Sequence, residues 1–328
     1  MPAPGDRVLG VAWHNDGPMS APAFAHHRPR LHAGLAHPRY WLTWLGFGLL
    51  WCSIFLPRIV LSAIGAALGQ LYFYLGRKRR RVALTNLALC FPALSPVARR
   101  RLARAHFRLA IQCALDLPYL WWASTRRIES RLAISGGARL DALAAEGRNI
   151  VLLLPHCVAM ETSAWLSRGR ATVSMMKPAR NAVVDYFLTR ARTRFGARLV
   201  ARQQGLRGVV RALRAGVAFV YFPDEDLGLK DAAFAPFFGV PAATVTTVGR
   251  LAELTDAVVV PCFPRREGRR YTLDVQPPLA DFPTGDATRD ATRMNAALEA
   301  GIEQDPRQYL WTFKRFKNRP AGQAPVYD

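Results

Sequence analysis

The chain has 328 residues, about half of them apolar, with 45 Lys and Arg against 23 Asp and Glu, a net charge of +22. The apolar share excludes a disordered protein, and the length allows one good core with an appendage. The charge asks for an acidic partner: nucleic acid, anionic lipid, a phosphorylated substrate or an acidic carrier protein.

Residues 1–36 are rich in Pro, Gly, Ala and His without periodicity and read as a disordered tail, with Met19 as an alternative start. Residues 37–76 read as a membrane anchor. Trp41 to Leu56 is almost wholly apolar, Pro57-Arg58 interrupts it, and Ile59 to Leu75 is apolar again. Neither half reaches the roughly 20 residues that span a bilayer, although together they exceed it. One tilted span, a span plus an interfacial helix, and a buried soluble hairpin all fit this pattern. Trp41, Trp44, Trp51, Tyr72 and Tyr74 are suited to an interface, and the run Arg77-Lys78-Arg79-Arg80-Arg81 marks the cytoplasmic side. Ser95-Pro96 then starts a helix to about Leu117, crowded with Arg99, Arg100, Arg101, Arg104 and Arg108.

From there the pattern alternates. Strands are expected at 150–154, 172–176, 198–200, 217–222, 257–263 and 271–276. Helices are expected at 139–146, 160–168, 182–195, 206–215, 243–255 and 289–304. This implies an α/β domain over 77–328 with a mixed, mainly parallel sheet flanked by helices, whose sites form beyond the carboxyl ends of strands. There is no GxGxxG, GxxxxGK[ST] or GxSxG. The cysteines Cys52, Cys90, Cys113, Cys157 and Cys262 lack CxxC spacing, which argues against a disulfide framework and a zinc site. No metal, nucleotide or other cofactor is indicated.

Two strand ends carry chemistry. His156 follows the apolar run Ile150–Leu154 and Pro155, with Glu161 five positions on. Five residues apart in one helix point away from each other. The pair therefore works only with His156 in the turn and Glu161 one turn into a helix. The carboxylate then holds one ring nitrogen while the other meets a substrate hydroxyl, the geometry of a general base. Only His106 and His156 of the seven histidines lie beyond residue 37, and only His156 has a carboxylate so placed. Cys157 has no second histidine as a base and apolar neighbours, so it reads as an inert thiol. The second strand end is Pro223-Asp224-Glu225-Asp226, after Val217–Phe222.

Further polar clusters are Lys177-Pro-Ala-Arg180-Asn181, leading to Asp185, Arg192 and Arg194, and Gln308 to Pro320, which includes Trp311, Lys314 and Arg315. In this order around an HxxxxE turn, with Asn86–Pro92 and Phe234–Gly239, they resemble the lipid A biosynthesis acyltransferases, within the lysophospholipid acyltransferase superfamily. The resemblance runs from about residue 37 to the end.

It implies that superfamily's α/β core with an N-terminal membrane helix, and acyl transfer from acyl carrier protein to a hydroxyl of a Kdo-bearing, phosphorylated glycolipid acceptor. It implies a location at the cytoplasmic face of the inner membrane and no nucleic-acid partner. His156 matches the catalytic histidine and Glu161 its paired carboxylate. Lys177, Arg180, Asp224, Asp226 and Arg315 fall at positions that contact acceptor or acyl chain. The chain departs from the pattern at Cys157–Met160, where relatives often carry Phe-Gly-Asn, and at Phe313-Lys314-Arg315, where His-Arg-Arg is common. A glycerophospholipid or glycolipid acceptor is the neighbouring alternative. The residues by themselves leave carrier protein and coenzyme A open as donors.

Overall fold

The computed structural model describes residues 26–327. Its helices are α1 (Trp41–Cys52), α2 (Arg58–Leu75), α3 (Arg77–Cys90), α4 (Pro96–Trp122), α5 (Thr125–Glu129), α6 (Gly137–Ala145), α7 (Ala182–Arg192), α8 (Arg207–Arg214), α9 (Thr247–Thr255) and α10 (Ala287–Gln304). Its strands are β1 (Leu132–Ser135), β2 (Asn149–Leu153), β3 (Thr172–Met176), β4 (Arg198–Ala201), β5 (Ala218–Tyr221), β6 (Ala232–Phe237), β7 (Val240–Val245), β8 (Ala257–Glu267) and β9 (Arg270–Val275).

Seven strands form one sheet in the order β1-β9-β8-β2-β5-β3-β4, and β6-β7 is a separate hairpin. From β8 to β4 every pairing is parallel, whereas β9 and β1 run the other way. This is the mixed, mainly parallel sheet expected. Its central strand β2 is apolar on both sides, as burial between two helical layers requires. Val151 and Leu153 face a core built with α8, α9 and α10, and Leu152 and Leu154 face one built with the second half of α4 and with α6.

Local chemistry accounts for several boundaries. Ser95 caps α4 by accepting from the Ala98 amide, with Pro96 at the first position, where its missing donor costs nothing. Asn181 caps α7 through the Val183 and Val184 amides. Pro118 does not end α4, which runs on to Trp122. The helix expected at 243–255 begins only at Thr247, because 243–245 completes β7. The β6–β7 hairpin closes through Phe238-Gly239, both with positive φ, which is the two-residue turn that matches strand twist.

α2 lies along α4. Gly65 and Gly69 face it, and a Cβ on Gly69 would come within 2.5 Å of the Arg108 Cα. At the start of α2, Arg58 reaches Asp116 at 2.8 Å, and Asp116 also accepts from Tyr271 Oη at 2.6 Å and pairs with Arg266. The outward faces of α1, α2 and the turn between them stay apolar and uncovered: Trp41, Leu42, Leu45, Leu49, Phe55 and Leu75 are each at least 60% exposed. Among the described residues one helix, α2, is long and apolar enough to cross a membrane. The part of the expected tail that is described, 26–36, packs on the body instead of trailing free. The His27 amide donates to the Leu199 carbonyl, and its ring meets Asp185 at 2.7 Å.

Candidate active site

His156 sits three residues past Leu153 of β2, and Asp224 three residues past Tyr221 of β5. Leu153 and Tyr221 are paired in register, so parallel neighbours deliver the two side chains to one spot beyond the sheet's carboxyl edge. Asp224 holds His156 twice. Its Oδ1 lies 2.6 Å from the imidazole Nδ1, and its Oδ2 accepts the His156 backbone N–H at 2.8 Å. The rings of Phe222 and Phe313 flank the imidazole at 5.1 and 5.2 Å. The His156 carbonyl accepts from the Leu310 amide, which ties the turn to the C-terminal stretch.

The electrostatics follow from this pairing. Burial by itself would lower the His156 pKa, but the Asp224 charge and hydrogen bond outweigh it, and the pKa stands above its usual value. Burial likewise opposes ionisation of Asp224, and the contacts with His156 override it, so that carboxyl is held below its usual range. An ionised carboxylate only accepts hydrogen bonds. Nδ1 must therefore carry the proton, which leaves Nε2 as the free base.

His156 opens onto an apolar cavity of about 420 Å³. Met160, Ala164, Met175, Leu199 and Val220 contribute apolar walls, and Glu161, Arg192, Lys177 and Lys230 contribute charge. Here the structure corrects the sequence reading. The segment after His156 is a 3-10 helix, Met160–Ser167, and Glu161 does not hold the imidazole. Its carboxylate is engaged by the Arg192 guanidinium at 2.5 and 3.0 Å. That pair lines the same cavity, and the Arg192 charge is near enough to act on His156.

The other expected residues separate. Lys177 lines the cavity mouth, and Arg180 is exposed and outside the lining. Asp226 is a structural clamp: it accepts from the Asn318 amide at 2.7 Å and from the Asn318 side chain and Gly228 amide. Arg315 is buried outside the cavity lining, donating to the Ala243 carbonyl, Thr244 and Asn295, and its charge helps to hold the Asp224 carboxyl below its usual range. Cys157 is an inert thiol. It is buried, its Sγ donates to the Pro264 carbonyl, and burial pushes its pKa up.

Sequence reasoning singled out Asn86 and Gln308 only as parts of longer stretches and gave neither a role as a support. Asn86 donates to the Trp311 and Phe313 carbonyls at 2.7 Å each, fixing the stretch that carries Phe313 against the imidazole. Gln308 links the same stretch to Arg266 of β8. An amide within the mostly apolar second half of α3, Val82–Cys90, was the available signal for Asn86.

The amino-acid sequence matches a known family. Residues 29–318 fit the family model for bacterial lipid A biosynthesis acyltransferases. The chain belongs to that family. It is 34% identical over 303 residues to the Escherichia coli K12 lipid A biosynthesis lauroyltransferase, spanning 91% of this chain and 99% of the relative. It is 33% identical over 303 residues to the myristoyltransferase of the same organism (91% and 94%) and 31% identical over 295 residues to its palmitoleoyltransferase (89% and 96%). This acyltransferase therefore retains nearly the full length of each of these relatives.

Proposed function

We propose that this acyltransferase moves a fatty acyl chain from a thioester on acyl carrier protein to a hydroxyl of a Kdo-bearing, phosphorylated lipid A precursor. The reaction takes place at the cytoplasmic face of the inner membrane. The observation that carries the reading is the His156–Asp224 pair opening onto an apolar cavity. A base aimed into an acyl-sized apolar site is what transfer to a hydroxyl requires.

Nε2 of His156 takes the proton of the acceptor hydroxyl as its oxygen attacks the thioester carbonyl. Asp224 keeps the ring oriented and stabilises the imidazolium that forms. When the tetrahedral intermediate collapses, the C–O bond is kept, the C–S bond breaks, and the imidazolium returns the proton to the departing thiolate. Backbone amides are poor candidates for the oxyanion. Those of His156, Val158, Met160 and Thr162 already donate, to Asp224 and to the carbonyls of Gln308, Cys157 and Ala159. In this reading the charge comes from Arg192, held in the cavity wall by Glu161. Glu161 thus keeps a role one step removed from the imidazole.

The exposed apolar faces of α1 and α2 and the basic run 77–81 support a membrane seat facing anionic headgroups. The relatives carry the names of lauroyl, myristoyl and palmitoleoyl transferases at nearly equal identity, so acyl length is to be read from product. The test is mass spectrometry of lipid A from a Gram-negative strain lacking its own late acyltransferase. The wild-type chain should add one acyl group and the His156→Ala form none. No gain with wild-type protein present in the membrane would refute the lipid A acceptor.

A further inference from the structure

The catalytic cavity does not end at its own walls. Leu206, Asp231 and Thr247 line both it and an open groove of about 820 Å³ between α8 and α9. The groove floor is apolar, from Val210, Leu251 and Leu254, the last 55% exposed.

Its rim is cationic. Arg207 and Arg211 line it four residues apart on α8, so they stand on one edge of the helix, and Arg214 follows three residues on. The acid in the lining, Asp231, is already paired with Arg250 at the start of α9. Arg214 donates to the Leu254 carbonyl. Arg207 and Arg211 have no acidic partner among the described residues.

Position matters as much as charge. α8 and α9 pack on the sheet face that carries Val151 and Leu153. The second half of α4 covers the opposite face, and the apolar α1 packs against its end, at Trp121 and Trp122, and against α7. The groove thus lies on the other side of the sheet from α1, while the end of α2, at Phe73, shares the core of α8 and α9. An apolar floor with a cationic edge fits an amphipathic helix whose polar side is acidic.

We propose that the α8–α9 groove is the docking surface for the acidic, helical carrier protein of the acyl donor, whose thioester arm enters the cavity past Leu206 and Thr247. This rests on the thioester-donor reading above and adds where the donor binds.

The experiment compares two donors with one phosphorylated glycolipid acceptor presented in vesicles: the acyl group on acyl carrier protein, and the same acyl group on pantetheine, which lacks both protein and phosphate. Full-length wild type and the Arg207→Glu/Arg211→Glu double variant are measured with each. The expected result is a 10- to 100-fold loss of kcat/KM for the carrier-protein donor, carried by KM, with the pantetheine donor changed less than twofold. A carrier protein with acidic helix residues changed to lysine should recover much of the loss with the double variant. An unchanged response to the carrier-protein donor would overturn the proposal. Equal loss with both donors would overturn it too, because the arginines would then serve the acceptor or the fold. Failure of the wild type with both donors would strike the acyl-transfer reading itself, which separates the two.

Discussion

Of the ion pairs that border the cavity, two are built differently. At the strand ends Asp224 has a side chain with no exposure and grips His156 through ring and backbone together. In the cavity wall Glu161 and Arg192 meet fork to fork, with side chains 15% and 26% exposed. The first pair joins residues 68 apart in sequence and the second residues 31 apart. Glu161 is near His156 along the chain, yet the sheet gives the imidazole to a carboxylate from another strand. Parallel register decides which residues meet; proximity along the chain does not.

The sharpest way to break this comparison is at the imidazole. His156→Ala should lower kcat by about 10²–10⁴-fold, the usual worth of a positioned general base, with an unchanged circular dichroism spectrum. Asp224→Asn should cost about 10²-fold or more and also move the pH profile. In the wild type the base is neutral only above its raised pKa, so kcat/KM falls as pH drops through a value above 6.5. Without the Asp224 charge, burial prevails and lowers that pKa, so the acid limb moves to lower pH. An acid limb in the same place in both proteins would sink the assignment of Asp224.

The wall pair should respond more mildly. Glu161→Gln keeps the shape and removes the charge that neutralises Arg192. We expect about a tenfold loss in kcat and an acid limb displaced less than in Asp224→Asn, since burial and Asp224 still govern the imidazole. Because Glu161 and Arg192 act as a unit, the Glu161→Gln/Arg192→Gln double variant should be no worse than the poorer single one, a coupling of about 0.5–3 kcal/mol. If the losses simply add, the pair is not a unit. A Glu161→Gln limb displaced as far as that of Asp224→Asn would return the imidazole to Glu161.

Much of this is legible in the amino-acid sequence, and the limits are physical. The six strands expected are all present because each is a short apolar or alternating run between turn signals, a local property. Both ends of the His156–Asp224 pair stand out as polar stretches after such runs. Their contact does not, because nothing local states that β2 and β5 are neighbours. The β6–β7 hairpin is hidden by its composition: Ala232-Ala233, Pro236 and Pro241-Ala242-Ala243 have little strand character, and Pro236 opposite Pro241 is tolerated only in a two-stranded ribbon. Arg315 and Asp226 resemble ligands because charge in an apolar stretch reads as function. Both instead satisfy backbone and side-chain groups of the C-terminal stretch and the hairpin.

The first two helices offer the gentlest contrast, between two glycines in neighbouring apolar segments. Gly46 of α1 has open space where a side chain would stand, whereas a methyl on Gly69 of α2 would run into the backbone of α4 at Phe107 and Arg108. Gly46→Ala removes chain entropy from the unfolded state and should stabilise by up to about 1 kcal/mol. Gly69→Ala must push α2 from α4, a cost of about 1–3 kcal/mol for overpacking, and should lower the thermal midpoint in detergent. Turnover well below that midpoint should hold in both variants, because the His156 site rests on the ends of β2 and β5 and not on α2. Equal midpoints for the two would show that α2 does not ride on α4. Its inner face would then be as free of the body as its outer face is.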